Sequence, residues 1–540
     1  MTPCQQKSCL TIHRPSFPMT EKTKSWLTIA CIWLLLLVLA LIRPLSLPDE
    51  GRYADIGRWM FISDDWLVPR LNGIPFFHKP PLLYWLQAEV FHLAGVHVWT
   101  ARLVTAVHAL IMLTGVYLGV RRILGEITAR KVSLVLGTSV GYLVGGQYIN
   151  HDFLVATWIT VAIGLFAVAM KDDDKPDVFW ARLGFLACGL GVLSKGLIGI
   201  VLPGMVMLTW VILMGKTRQL IHFPWLSGLL ICGLTTLPWM LQVEAQFSGF
   251  LDYFIIGHHF SRFSGSQFNN HQDWWFYPGV IGIFMFPWVL FIAWRVAQQI
   301  FKGKVLRGGL AALRLNPWTS LPWIWLGVIL LFFSLPNSKL IGYILPVIPA
   351  VAILAVQNWD ALMGHKKSAN AWFWGVCGFS LALATGANFL ARYNSMKDHS
   401  QDVAQTLTCL SNPEDKVYVF GEYPFDLPFL AQRSQALIVI ENWDEVRKNS
   451  GDNWRRVFFE GADFDHTAGQ VLQSPEVLKQ SSPEVRWLVT PAQLSHPNMK
   501  DGWQVAFKGH AWWLWRSGPA LAQITTPEAQ RCGLTSDIKP

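Results

Sequence analysis

About eleven apolar stretches recur along this 540-residue chain, each near the length a helix needs to cross a bilayer at ~1.5 Å per residue. Few folds are open to such a chain, because backbone amides in hydrocarbon must be satisfied within each segment or in a closed barrel. The stretches fall at 26–42, 101–120, 132–149, 153–170, 179–193, 197–214, 223–243, 276–293, 321–335, 341–358 and 371–391. Short, Gly-broken pairs allow up to about thirteen helices. Hydrophobic residues at 52%, charged residues at 15% and 28 Trp fit a polytopic membrane protein and exclude an ordinary soluble enzyme. The first stretch exits through Arg43-Pro44-Leu45-Ser46, which is no signal-peptide cleavage site, so it is expected as a retained helix.

The links between stretches carry the topology. Arg121, Arg122, Arg130 and Lys131 share one loop, and Lys171, Lys175, Lys216, Arg218, Arg295, Lys302, Lys304, Arg307, Arg314, Lys366 and Lys367 fall in the others on the same side as the N-terminus. The positive-inside rule makes that side cytoplasmic and puts the alternate loops, with everything after 391, outside. Asp49, Arg52, Lys79, Asp152, Lys195, Arg262 and Lys339 then all sit at external helix ends. Any one of them has an ordinary explanation as a snorkelling or capping charge. Together, mostly cationic and on one face of the membrane, they point to a shared anionic ligand.

Composition divides the chain into a cytoplasmic segment 1–25, a membrane domain 26–395 and an external α/β domain 396–540. In the last, β-rich runs at 416–420, 436–440, 456–459, 486–489 and 503–507 alternate with polar, turn-rich or potentially helical stretches such as 474–479. Cys409 and Cys532 share the oxidising compartment and are the one plausible disulfide. There is no internal repeat, CxxC pair, P-loop or dinucleotide fingerprint.

The first external loop carries the chemistry. Tyr53, Ile56, Gly57, Met60 and Phe61 recur at helical spacing over 50–61, with Arg52, Asp55 and Arg58 off that stripe, which predicts an amphipathic helix flat on the membrane. Pro48 fixes its start and puts Asp49 at the N-cap. Pro80-Pro81 open a second juxtamembrane segment over 82–93 and hold Lys79 at its N-terminal edge, a good place for phosphate.

Asp49-Glu50-Gly51-Arg52-Tyr53, the run from Asn72-Gly73 to Lys79-Pro80-Pro81, and the stretch from Phe333 through Asn337-Ser338-Lys339 to Tyr343 and Pro346 resemble the bacterial polyprenyl-phosphate-sugar glycosyltransferases of the GT-C fold. Within that group, which includes the protein O-mannosyltransferases, the chain is most similar to the lipid A aminoarabinose transferases, from about residue 26 to 350. The resemblance implies an all-α membrane domain with external juxtamembrane helices and an external α/β tail. It also implies an inner-membrane enzyme working at the periplasmic face, as a monomer without nucleic acid. Its donor is a sugar on undecaprenyl phosphate, and its acceptor is lipid A, another envelope glycan or a protein. Asp49 matches the family's catalytic aspartate and Asp152 its second acidic position. Lys79, Arg262 and Tyr343 match positions contacting the lipid phosphate, while Arg52, Lys195 and Lys339 are additional candidates.

The sugar leaves as a phosphate anion while positive charge grows at its anomeric carbon, so cations are needed at the leaving oxygen and a carboxylate at the acceptor. Asp49 as base favours single displacement with inversion, and the separation of the carboxylates decides whether a retaining route competes. Family members often carry a glutamate before the first-loop lysine, where this chain has His78. With His258 or His259 it makes a candidate divalent-metal site, zinc by ligand type, against the simpler reading of a metal-free interfacial loop. Two other classes stand beside the enzyme. A transporter is expected to show repeat symmetry and midplane charges, and a non-catalytic assembly protein would not keep Asp49, Lys79 and Asp152.

Overall fold

A computed structural model describes residues 19–172, 175–260, 270–301, 316–449, 451–494, 502–518 and 532. Short turns of helix aside, the membrane part runs α1 (Glu21–Leu41), α2 (Asp49–Ser63), a hairpin of β1 (Arg70–Leu71) and β2 (Ile74–Pro75), α3 (Leu82–Ala94), α4 (Val98–Leu124), α5 (Glu126–Gly137), α6 (Val140–Gly145), α7 (His151–Ala169), α8 (Val178–Lys195), α9 (Ile198–Met214), α10 (Trp225–Gln246), α11 (Phe276–Phe284), α12 (Trp288–Phe301), α13 (Pro317–Ser334), α14 (Ile348–Met363) and α15 (Ala369–Asp398). Eight of the described helices are long and apolar enough to span a bilayer, the 3-10 turn Ile341–Val347 being counted with α14. The α11–α12 pair, bent by 119° at a break holding Pro287, makes up to nine. The stretches at 132–149 and 197–214 appear instead as the broken α5–α6 pair and the 17-residue α9.

The two ends of the bundle are chemically distinct. At one end Arg130 pairs with Glu21 at 2.5 Å, Lys131 with Asp360 at 2.7 Å, and Gln219 donates to the Asp172 carbonyl at 2.7 Å. The loop of Arg130 and Lys131 thus meets the ends of α1 and α14, and the loop of Lys171 meets that of Lys216 and Arg218, while Lys302, Lys304, Arg307 and Arg314 lie outside the described residues. The opposite end carries α2, α3 and a six-stranded sheet in the order β5-β4-β3-β6-β8-β7, built from β3 (Lys416–Phe420), β4 (Ile438–Ile440), β5 (Leu472–Gln473), β6 (Arg486–Pro491), β7 (Gln504–Lys508) and β8 (Trp512–Ser517). The pairs among β3, β4, β5 and β6 are parallel, and β8 joins β6 and β7 antiparallel. α16 (Gln401–Leu410) leads into the sheet, and its Cys409 is disulfide-bonded to Cys532.

Two expectations are corrected here. The run 456–459 is no strand but part of α17 (Trp454–Phe464): Asn453 caps it, accepting from the Arg455 amide at 3.0 Å, and Val457, Phe458, Gly461 and Ala462 recur at helical spacing on its buried face. Nor does α2 lie with a polar face to solvent, since Asp55 and Arg58 are buried. They pair at 2.7 Å, and Arg58 donates to the Arg433 carbonyl at 2.6 Å. The sheet region covers that face, and one apolar core runs from Tyr53, Ile56 and Leu83 through Val417, Phe429 and Trp487. Gly51 makes the approach possible, because a Cβ there would stand 2.8 Å from the Phe425–Asp426 backbone.

Candidate active site

A cavity of about 840 Å³ opens between the helix ends and the sheet region, and Asp49, Arg52, His78, Lys79, Asp152, Lys195, Lys339 and Tyr343 all line it. Sequence positions almost 300 residues apart thus converge on one space. Arg262 lies outside the described residues, as do the side chains of His258 and His259.

Asp49 is the first residue of α2 and not its N-cap as expected, the N-cap being Pro48. What fixes it is the neighbouring Glu50, fully buried, whose carboxylate accepts from Arg43 at 2.7 Å, Arg102 at 2.8 Å, and the amides of Ser46 at 2.8 Å and Ile149 at 3.1 Å. Burial alone would raise the Glu50 pKa, but Arg102 and Arg43 outweigh it and bring it to about 2. One carboxylate thereby ties together the end of α1, the start of α2, α4 and the entry to α7. Arg52, one turn after Asp49, stacks its guanidinium 4.7 Å from the Phe425 ring centroid, and its buried Nε has no hydrogen-bond partner among the described residues.

A second constellation forms where α7 begins and α8 ends. The Asn150 side chain caps α7 by accepting from the Asp152 amide at 2.8 Å, and Asp152 is ion-paired with Lys195, the last residue of α8. His151 holds the two helix ends in register, with Nδ1 2.7 Å from the Ser194 carbonyl and Nε2 3.0 Å from the Tyr84 hydroxyl. Lys195 also lies 3.9 Å above the Tyr343 ring. Gly342 is what lets the Tyr343 segment close in, since a Cβ there would meet an Asp152 oxygen at 2.1 Å. Gly342→Ala is therefore expected to displace the Asp152–Lys195 pair and to cost about 1–3 kcal/mol from overpacking, measurable as a lower melting temperature in detergent. Lys339 is buried and donates to the Gln272 carbonyl at 2.6 Å, stapling 270–272 to 337–339 at the cavity wall.

His78 contacts Glu460 of α17 at 3.2 Å, and Glu460 also accepts from the Tyr253 hydroxyl at 2.7 Å and from Arg456 Nε at 2.5 Å. Burial opposes the Glu460 charge, but His78, Arg456 and Tyr253 hold its pKa at about 2; burial in turn lowers that of His78. The expected zinc ligands His258 and His259 fall among the side chains outside the described residues. Among the described residues no three His, Cys, Asp or Glu side chains gather to hold a metal ion, and His78 has a carboxylate from the sheet region as its neighbour instead. The sequence reading also missed Glu460 and Arg456, together with Arg43 and Arg102. Only Arg102 left a legible trace, as a charge inside an apolar stretch.

A family model described as dolichyl-phosphate-mannose-protein mannosyltransferase matches residues 78–241. An undecaprenyl phosphate-alpha-4-amino-4-deoxy-L-arabinose arabinosyl transferase of Sodalis glossinidius is 29% identical over 399 residues, 71% of this chain and 69% of the relative. One of Pseudomonas fluorescens is also 29% identical, over 64% of this chain, and the match spans only 60% of that relative's length. The crystal structure of ArnT from Cupriavidus metallidurans bound to undecaprenyl phosphate superposes with a TM-score of 0.73 at 21% identity, covering 93% of this chain and all of that one. The chain has the GT-C fold. It is a multi-pass membrane protein similar to the aminoarabinose transferases.

Proposed function

We propose that this protein is a glycosyltransferase of the bacterial inner membrane that moves a sugar from undecaprenyl phosphate to lipid A at the periplasmic face. The observation that carries the reading is the cavity at the end of the bundle opposite the described basic loops, with the carboxylates of Asp49, Asp152 and Asp452 and several cations on its wall. The names of the similar proteins supply the sugar, 4-amino-4-deoxy-L-arabinose, and the carrier. Residues 26–395 form the membrane catalytic part and 396–540 the external domain.

In this reaction Lys79, with Arg262, neutralises the phosphate that departs, and Tyr343 donates a neutral hydrogen bond to it. Asp49 accepts the proton of the attacking acceptor group as the bond from sugar to phosphate oxygen breaks, giving inversion. Asp152 is balanced by Lys195 and so orients its surroundings instead of carrying a loose negative charge beside the leaving phosphate. The apolar wall of Val144, Phe153, Phe276, Phe284 and Leu345 offers the prenyl chain a path into the bilayer. A second reading, transfer to protein, is favoured by the description of the family model alone.

The test is transfer by the reconstituted protein from radiolabelled undecaprenyl-phosphate aminoarabinose to lipid A or to a peptide acceptor. Lys79→Ala is expected to weaken undecaprenyl phosphate binding by roughly 10- to 100-fold without any acceptor, the loss of one charge-assisted contact of about 1.5–3 kcal/mol. Tyr343→Phe should cost less. Equal affinity for Lys79→Ala and the unmodified protein would move the phosphate to another cation.

A further inference from the structure

One helix of the external region grips the loop that carries Lys79 residue by residue. On the face of α17, Gly461 meets Pro75 so closely that a Cβ would stand 2.2 Å from the Pro75 carbonyl oxygen. Phe464 packs edge-on against Phe77, with centroids 5.1 Å apart, and Glu460 meets His78 at 3.2 Å. Residues 460, 461 and 464 share one helical face. They therefore touch three of the four residues before Lys79, and nothing in the loop is left between the last of these contacts and the lysine itself. The same helix begins at the cavity wall, where Trp454, Arg456 and Val457 line the space that Lys79 lines from the membrane side. Tyr253 joins the Glu460 carboxylate to the segment after α10, so the contact links three separate parts of the chain.

His78 is also where the chain departs from the family pattern, which often places a glutamate before the lysine. A glutamate at 78 would face Glu460 at close range, and two carboxylates there would repel.

We propose that Glu460 is a positioning residue of the donor site: it holds His78, and through it sets the place of the Lys79 ammonium for the lipid phosphate. The inference rests on the proposed donor chemistry. α17 is then a working part of the site, acting through the loop and not by touching the donor.

The test uses the full-length protein in nanodiscs and undecaprenyl phosphate as the probe, with affinity and melting temperature both read. Glu460→Gln is expected to weaken binding about tenfold, and His78→Glu to weaken it further, because it opposes two carboxylates. The double variant His78→Glu/Glu460→His restores a carboxylate–imidazole pair and is expected to return affinity to within about threefold of the unmodified protein. Glu484→Gln, which removes an exposed external charge paired with Lys416, should change nothing. His78→Gln probes the same contact from the membrane side, so poor folding of a Glu460 variant leaves the test intact. A double variant no better than its worse single parent, or normal affinity for Glu460→Gln, would overturn the proposal. Loss of affinity only in step with melting temperature would do the same, because it marks a purely structural contact. If the unmodified protein bound no undecaprenyl phosphate, the functional reading itself would fall. Normal binding there with unmoved variants would sink this inference alone.

Discussion

Asp49→Asn is expected to leave the protein folded and able to bind undecaprenyl phosphate while lowering sugar transfer by at least about 100-fold, the usual contribution of a general base. The substitution keeps size and removes only the capacity to take a proton. Its structural safety follows from the division of labour in the first turn of α2. Glu50, not Asp49, makes the contacts to Arg43, Arg102, Ser46 and Ile149 that hold the helix in place. Asp49 lines the cavity beside them. Single-turnover transfer at saturating donor is the decisive measurement, since it separates chemistry from binding. Near-normal turnover would remove Asp49 as base. Asp152 would be a poor replacement while paired with Lys195, so the search would then turn to a base supplied by the acceptor.

Much of this was legible in the sequence because membrane chains obey few and strong rules. Apolar length gave most of the spans, and the basic charge of the described loops gave the end where Arg130–Glu21 and Lys131–Asp360 pair. Charges at the opposite helix ends gave most of the charged lining of the cavity, Asp452 and Arg456 aside, because charges gathered at a membrane face are costly to hold without a role. The failures share a different cause. The polar face of α2 was assigned to the membrane surface since its burial depends on a sheet more than 300 residues later, which local periodicity cannot report. The run at 456–459 alternates like a strand for a few residues, and only the Asn453 cap and the longer repeat through Ala462 identify α17. Glu460 had no local signal at all, because its role arises from the loop it docks on. His78 was noticed as a departure, but its partner lay beyond what spacing can reveal.

The second large effect is expected from the Glu50 pin, and it falls on stability. Glu50→Gln leaves Arg43 and Arg102 buried without their counter-charge at the meeting point of α1, α2, α4 and α7, and breaking a buried pair in this way costs about 3–5 kcal/mol. A purified variant should show a markedly lower melting temperature, or fail to survive extraction. The same group sets an acid limit for the native protein. Its carboxyl stands at about 2 when folded against 4.5 in its ordinary state. The unfolded chain therefore binds the proton first, so this stabilisation is complete above pH 4.5 and drains away as pH falls toward 2. Integrated over that interval it amounts to roughly 3 kcal/mol. Melting temperature followed from neutral pH down to pH 3 should thus drop for the native protein more steeply than for Glu50→Gln, which has already lost the titrating group. Parallel acid profiles for the two would show that the pin is not ionised in the folded state. The stable placing of Asp49 would then have to come from the packing of α2 against the sheet alone.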